Sequence, residues 1–235
     1  MDAAYEPRIR SREKLKSMRR FVGERMSESL KSMPQDTAFF DLETDAFLAA
    51  KDELKAKNKN VTVSSAILRI MATILQDYPL LNSAVIDGEV INYESCNVAM
   101  GIGLESAIMT VVIKEAQDKN IFAISDELRE KTDLLKAGKL PLAEMKGSTF
   151  TISSIGVLGI RYATVIINPP ESGMLGIGIT EKRQLVRADD TVVIRNVTDF
   201  SFTHNHILLD GYHLKFIIDM LRERLAAPMP HMGLD

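Results

Sequence analysis

Three of the four histidines in this 235-residue chain, His204, His206 and His213, fall within a window of ten. They lie in the run Phe202-Thr-His-Asn-His-Ile-Leu-Leu-Asp-Gly-Tyr-His213, which contains the pattern His206-x-x-x-Asp210-Gly211. Chance places that pattern in about a few per cent of chains this long, given the usual abundance of these residues. Imidazoles titrate near neutrality, so such a cluster can carry protons. Strand alternation would also put His204 and His206 on one face, where imidazoles can ligate a metal. No further histidine, cysteine or carboxylate cluster is evident to complete a metal site, so no metal is expected. The plainer alternative is structural: histidines at a strand-to-helix turn, with Asp210 as N-cap of the last helix.

The composition narrows the setting. Hydrophobic residues make up 46% and charged residues 26% of the chain, ordinary for a globular protein. The formal charge of −3 argues against nucleic-acid binding through a basic surface. Cys96 is the single cysteine, so neither an intrachain disulfide nor a cysteine-rich metal site is possible. No apolar run reaches membrane-span length and the first residues lack a signal-peptide core, which predicts a cytoplasmic protein with no membrane partner. Residues 1–16 read as a basic N-terminal arm and 17–235 as one domain. The basic run Arg8 to Arg20 suits a solvated linker and helix face, or a contact with a polyphosphate or acidic partner.

The elements that must position the histidines are legible from periodicity. Met18, Phe21, Val22, Met26, Leu30 and Met33 form one helical stripe, with Ser17 as the expected N-cap and Pro34 as terminator. A strand is expected over 37–44, a charged helix over 45–57, and an apolar helix carrying Ile67, Ile70, Met71, Ile74 and Leu75 closed by Pro79. Asp87-Gly88 marks a hairpin tip between 85 and 93. Strands are expected over 97–104 and 108–114, and a helix over 120–136 with Gly138 at C′. Residues 148–154, 163–168 and 174–180 read as β, and 191–197 with 199–204 as a late hairpin. A last helix carries Leu214, Ile217, Ile218, Leu221 and Leu225. Interleaved helices and recurrent hairpins, without a Gly-rich phosphate loop, predict an α/β sandwich with a mixed sheet.

Several segments, in order, resemble one family. His206-Ile-Leu-Leu-Asp210-Gly211 is similar to the His-x-x-x-Asp-Gly signature of chloramphenicol acetyltransferase and of the dihydrolipoyl acyltransferase cores of 2-oxo acid dehydrogenase complexes. The stretch from Ser17 to Leu30 resembles the opening helix of those cores. Gly147-Ser-Thr-Phe-Thr-Ile-Ser153-Ser154-Ile-Gly156 resembles their Gly-Thr-Phe-Thr-Ile-Ser-Asn-x-Gly segment, and Asn168-Pro169-Pro170-Glu171 their Asn-Pro-Pro-Glu stretch. The resemblance implies a chloramphenicol acetyltransferase-like two-layer sandwich and acyl transfer with coenzyme A as a substrate. It implies His206 as general base, Ser153 as donor to the tetrahedral oxyanion, and Asp210 as a structural aspartate paired with an arginine near the first helix, for which Arg19 and Arg20 are candidates. It further implies a homotrimer in which histidine and serine come from neighbouring subunits.

Some residues depart from the dehydrogenase branch. Asn205 and Ile207 replace the usual aspartate and arginine beside the catalytic histidine. Tyr212-His213 is nearer to the chloramphenicol acetyltransferase pattern. The segment from Ala107 to Lys114 lacks a glycine and a proline usual there, and the loop from Gly101 to Ser106 is shorter. The tail from Pro228 to Asp235 lacks the terminal leucines associated with cage assembly. No lipoyl domain precedes the core, so no lipoyl group is expected on this chain. The expected acceptor is a thiol such as dihydrolipoamide, on a lipoyl-bearing partner. The alternatives are a free-standing acyltransferase for a small hydroxyl or amine compound, and a non-catalytic scaffold.

Overall fold

The computed structural model describes residues 7–104 and 108–234 of the chain. The first six residues of the expected arm, and positions 105–107 of the expected loop and strand, lie outside the described residues. From residue 7 to residue 16 the chain has no regular structure and is exposed.

Helix α1 spans Ser17–Ser32, but Ser17 is its first helical residue rather than its cap. The cap position falls to Lys16, which is extended and offers no side-chain acceptor. Strand β1 (Gln35–Glu43) leads into α2 (Asp45–Lys57) and α3 (Val63–Asp77). α3 is buried over most of its length, from Ser65 to Ala72 and at Ile74 and Leu75, and is therefore central. Its start is fixed by a capping box in which Ser65 N donates to Thr62 Oγ1 at 3.1 Å and Thr62 N donates to Ser65 Oγ at 2.9 Å. The hairpin β2 (Ser83–Ile86) and β3 (Glu89–Asn92) turns through Asp87 and Gly88, both at positive φ as a two-residue turn demands. Strands β4 (Val98–Gly103) and β5 (Ile108–Ile113) precede α4 (Ile121–Lys136), which Asn120 caps. β6 (Phe150–Ser154), β7 (Gly173–Val186), β8 (Val192–Asn205) and α5 (Gly211–Ala226) complete the chain. None of the described helices is long and apolar enough to cross a membrane.

Six strands form one sheet in the order β1-β8-β7-β6-β4-β5. β6 runs parallel to β4 and β7, and the other pairs are antiparallel, so the sheet is mixed as expected. Its two faces differ in chemistry. The row Ala38, Phe202, Leu175, Ile152, Met100 and Val111 is in register across all six strands and packs against the core helices. The next row, Phe39, Ser201, Gly176, Ser153, Gly101 and Thr110, points the other way.

Two of the expected strand assignments fail. Residues 163–168 are not a strand. They cross the second sheet face, and side chains replace a ladder: Ala163 N donates to Ser201 Oγ at 3.0 Å and Ile167 N to Gln35 Oε1 at 3.1 Å. The expected late hairpin is one continuous strand, β8, whose hairpin partner is β7 through the turn at Asp190. The apolar stripe of α1 is only partly covered within one chain: Met33 at its end is buried, but Phe21 is 58% and Leu30 55% exposed.

α1 is tied to the second face through the Asn-Pro-Pro-Glu loop. Arg25 donates to Asn168 Oδ1 at 2.9 Å and to Pro169 O at 2.8 Å, and Ser29 Oγ donates to Ile167 O at 2.6 Å. Glu171 lies beneath this loop, fully buried, with Oε1 accepting from Ser148 Oγ and from Asn168 Nδ2. Burial pushes its carboxyl up to about 7, against those hydrogen bonds and the charge of Arg25. A carboxyl raised on folding stabilises most below its unfolded pKa, and that contribution is lost as pH rises towards 7. Glu171→Gln should therefore match the parent near pH 4, below the unfolded pKa, and exceed it at pH 8 by up to about 3 kcal/mol, the full linkage of such a shift. Urea denaturation at the two pH values checks this. Equal parent-to-variant differences at both would show that Glu171 is ionised in the fold.

Candidate active site

β8 delivers the histidines. Its last residues remain paired to both neighbours: His204 faces Asp36 on β1 and Gly173 on β7, and Asn205 N donates to Ser172 O at 2.8 Å. His206 leaves the strand with its N–H donated to Pro34 O at 2.8 Å and its side chain exposed. The turn then closes on Asp210, the N-cap of α5. Its Oδ1 accepts from Tyr212 N at 2.9 Å and His213 N at 3.2 Å, and lies 2.6 Å from His213 Nδ1. These bonds hold the Asp210 carboxyl below the usual range. The expected arginine is not there. No arginine among the described residues lies within ion-pair distance of Asp210, and Arg20 faces Glu24 instead, at 4.0 Å. The cap position explains the difference, since free N–H groups at a helix start are the local partners of a carboxylate.

Ser153 occupies the other half of the site. Gly101 and Gly176 flank it in register on the two neighbouring strands. A Cβ at Gly101 would lie 3.4 Å from Ser153 Oγ, so the missing side chain clears the space over the hydroxyl. That hydroxyl makes no hydrogen bond to any described residue and is free to donate outward. Immediately after it the chain folds back on β7 through two glycines. A Cβ at Gly156 would meet Gly178 O at 2.1 Å, and one at Gly178 would meet Arg161 O at 2.0 Å. Nearby, buried Asp199 gathers Arg183, Tyr162 and Arg161, with Tyr162 Oη donating at 2.9 Å. Sequence reading missed this cluster, because its members are spread over nearly forty residues.

The two halves do not meet within one chain. Ser153 is level with Ser201, two strands away on β8, and His206 lies five residues further along. At about 4.8 Å between strands and 3.3 Å per residue, the two backbones are about 20 Å apart. Two side chains cannot close that gap.

The chain matches, over residues 7–232, the family described as 2-oxoacid dehydrogenases acyltransferase (catalytic domain). The chain belongs to this family. It is 27% identical over 220 residues to the dihydrolipoyllysine-residue acetyltransferase component of the pyruvate dehydrogenase complex of Zymomonas mobilis, covering 92% of this chain and 50% of that protein. The chain thus spans about half the length of the curated relatives it matches. A truncated catalytic core of the 2-oxoacid dehydrogenase multienzyme complex from Thermoplasma acidophilum superposes with a TM-score of 0.84 at 28% identity, over 93% of this chain and 99% of that one. Chloramphenicol acetyltransferase superposes at 0.52 with 14% identity, over 86% and 94% of the two chains, a likeness of fold. The expected family and sandwich architecture are therefore both found.

The glycine packing behind Ser153 yields a test. Gly178→Ala should destabilise the fold by about 1–3 kcal/mol, the usual range for overpacking, and displace the segment behind the serine. Thermal denaturation checks the first effect. A variant as stable as the parent would show that the Arg161 segment is not held against β7.

Proposed function

We propose that the chain is a coenzyme A-dependent acyltransferase that moves an acyl group between coenzyme A and a dihydrolipoyl thiol. The observation that carries this reading is the family match across residues 7–232. A thiol with a pKa near 8.5 is mostly protonated at neutral pH, and the thiolate is the nucleophile. His206 takes the acceptor's proton as its sulfur attacks the thioester carbonyl. The tetrahedral oxyanion accepts a hydrogen bond from Ser153 Oγ. Collapse expels the coenzyme A thiolate, which recovers the proton from His206. Asp210 acts through the turn, fixing the start of α5 and so the loop that carries the base.

The active unit in this reading is a homotrimer, with His206 and Ser153 supplied by adjacent subunits. Two observations support it. The separation within one chain forbids a site built from that chain alone. Apolar residues on α1 and beside Ser153 lack cover, with Val157 80% and Leu158 71% exposed as well as Phe21 and Leu30. The acceptor is a lipoyl group on a partner protein or segment.

Release of coenzyme A from acetyl-CoA should require dihydrolipoamide. His206→Ala should lower kcat about 10²–10⁴-fold and Ser153→Ala about 10²–10³-fold. Neither variant alone should be active, but the two refolded together should regain activity in up to about a quarter of the sites, those pairing an intact histidine with an intact serine across a symmetric interface. Activity restored to neither variant on mixing would place both groups in one chain. Turnover with hydroxyl or amine acceptors, and none with dihydrolipoamide, would replace the acceptor.

A further inference from the structure

The register of β1 against β8 supplies a ligand that the sequence did not show. Asp36 sits directly opposite His204, and His206 follows two residues on. Donor atoms of Asp36, His204 and His206 all lie within 4.8 Å of one another. His204 is fully buried, and neither of its ring nitrogens has a hydrogen-bond partner among the described residues. Its ring stacks on Phe202 at 6.3 Å and approaches the His206 ring at 5.5 Å. An imidazole held only for packing could be replaced by a hydrocarbon, and leaving its polar atoms unpaired in the core costs about 1–3 kcal/mol. Asp36 and His206 are exposed, so the open side of the cluster reaches solvent.

We propose that Asp36, His204 and His206 form a binding site for a divalent transition-metal ion of the zinc type. Two imidazole nitrogens and one carboxylate oxygen, with a fourth position open to water, are a donor set such ions favour. Ligand atoms about 2.0–2.1 Å from zinc lie about 3.4 Å apart in a tetrahedron. Small rotations of the two exposed side chains close the cluster to that size. The site rests on the acyltransferase reading in one respect only: an ion there occupies His206 and withdraws the base. Metal availability would then gate transfer.

Binding is tested without turnover, so its failure is distinct from failure of the acyltransferase reading. Tag-free, chelator-treated protein is titrated with Co²⁺, read by its visible absorption, and then with Zn²⁺ in equilibrium dialysis. One Zn²⁺ per chain, an intense four-coordinate cobalt spectrum, and affinity weakened at least tenfold in both His204→Gln and Asp36→Asn are expected. Asp36 is exposed, so that variant keeps the test decisive if His204→Gln does not fold. Diethyl pyrocarbonate modification of His206, located by peptide mass, should be blocked by Zn²⁺ in the parent and restored in Asp36→Asn. Absence of binding, binding unchanged in Asp36→Asn, or full modification of His206 with Zn²⁺ bound would each overturn the site.

Discussion

The pairing of β8 with both β1 and β7 is the constraint from which the rest follows. β8 is fourteen residues long and its second half, from Val197 to Asn205, is buried throughout. Ladders on both sides fix its register, and a shift by one residue would exchange the faces of every side chain. Its even-numbered positions Phe200 and Phe202 enter the helix-side core, while Asp199 and Ser201 serve the second face. The same ladder therefore sets core packing, seats residues 163–168 through Ser201, and aims the end of the strand at Asp36. His206 inherits its position from this register rather than from bonds of its own side chain.

The second face is held differently from the first. On the helix side, burial of large apolar side chains around α3 supplies stability without direction. On the other side the chain crosses the sheet as irregular backbone, which must find partners for its polar groups. Arg25, Ser29, Gln35 and Ser201 provide them, and glycines at 156 and 178 allow backbone to lie directly on backbone. The arrangement leaves Ser153 free between two glycines. A denser face would have filled the space that a reacting thioester needs.

Legibility in the sequence followed the range of the interaction. α2, α3, α4 and α5 were readable because each is specified by its own periodicity and by nearby caps such as Thr62 and Asn120. The Asp87-Gly88 turn was readable because two adjacent residues require positive φ. Residues 163–168 misled because a β-rich composition does not reveal whether backbone groups will meet a strand or the side chains of Ser201 and Gln35. The α1 stripe was legible as an apolar helix face, but periodicity does not report which chain covers such a face. His206, Ser153 and Asp210 were found by family likeness. The cap role of Asp210 was also legible locally, whereas its arginine partner was inferred from likeness alone and is not found among the described residues. Asp36 was invisible, because it lies 168 residues from His204 and only strand register joins them.

If His206 is the base and Ser153 the oxyanion donor, as proposed, a sheet that separates them by two strands makes catalysis conditional on association. Neither group needs the other to fold: His206 is set by the β8 ladder, and Ser153 by its neighbours on β4 and β7. Each chain can therefore be well ordered and still hold no complete site. The exposed apolar residues on α1 and after Ser153 supply a driving force for bringing chains together, while the two ladders supply the geometry once they meet. Stability and activity are thereby assigned to different levels of the structure. The monomer fold secures the first, and in the proposed homotrimer the second arises only where the end of one chain's β8 approaches the glycine-flanked serine of another.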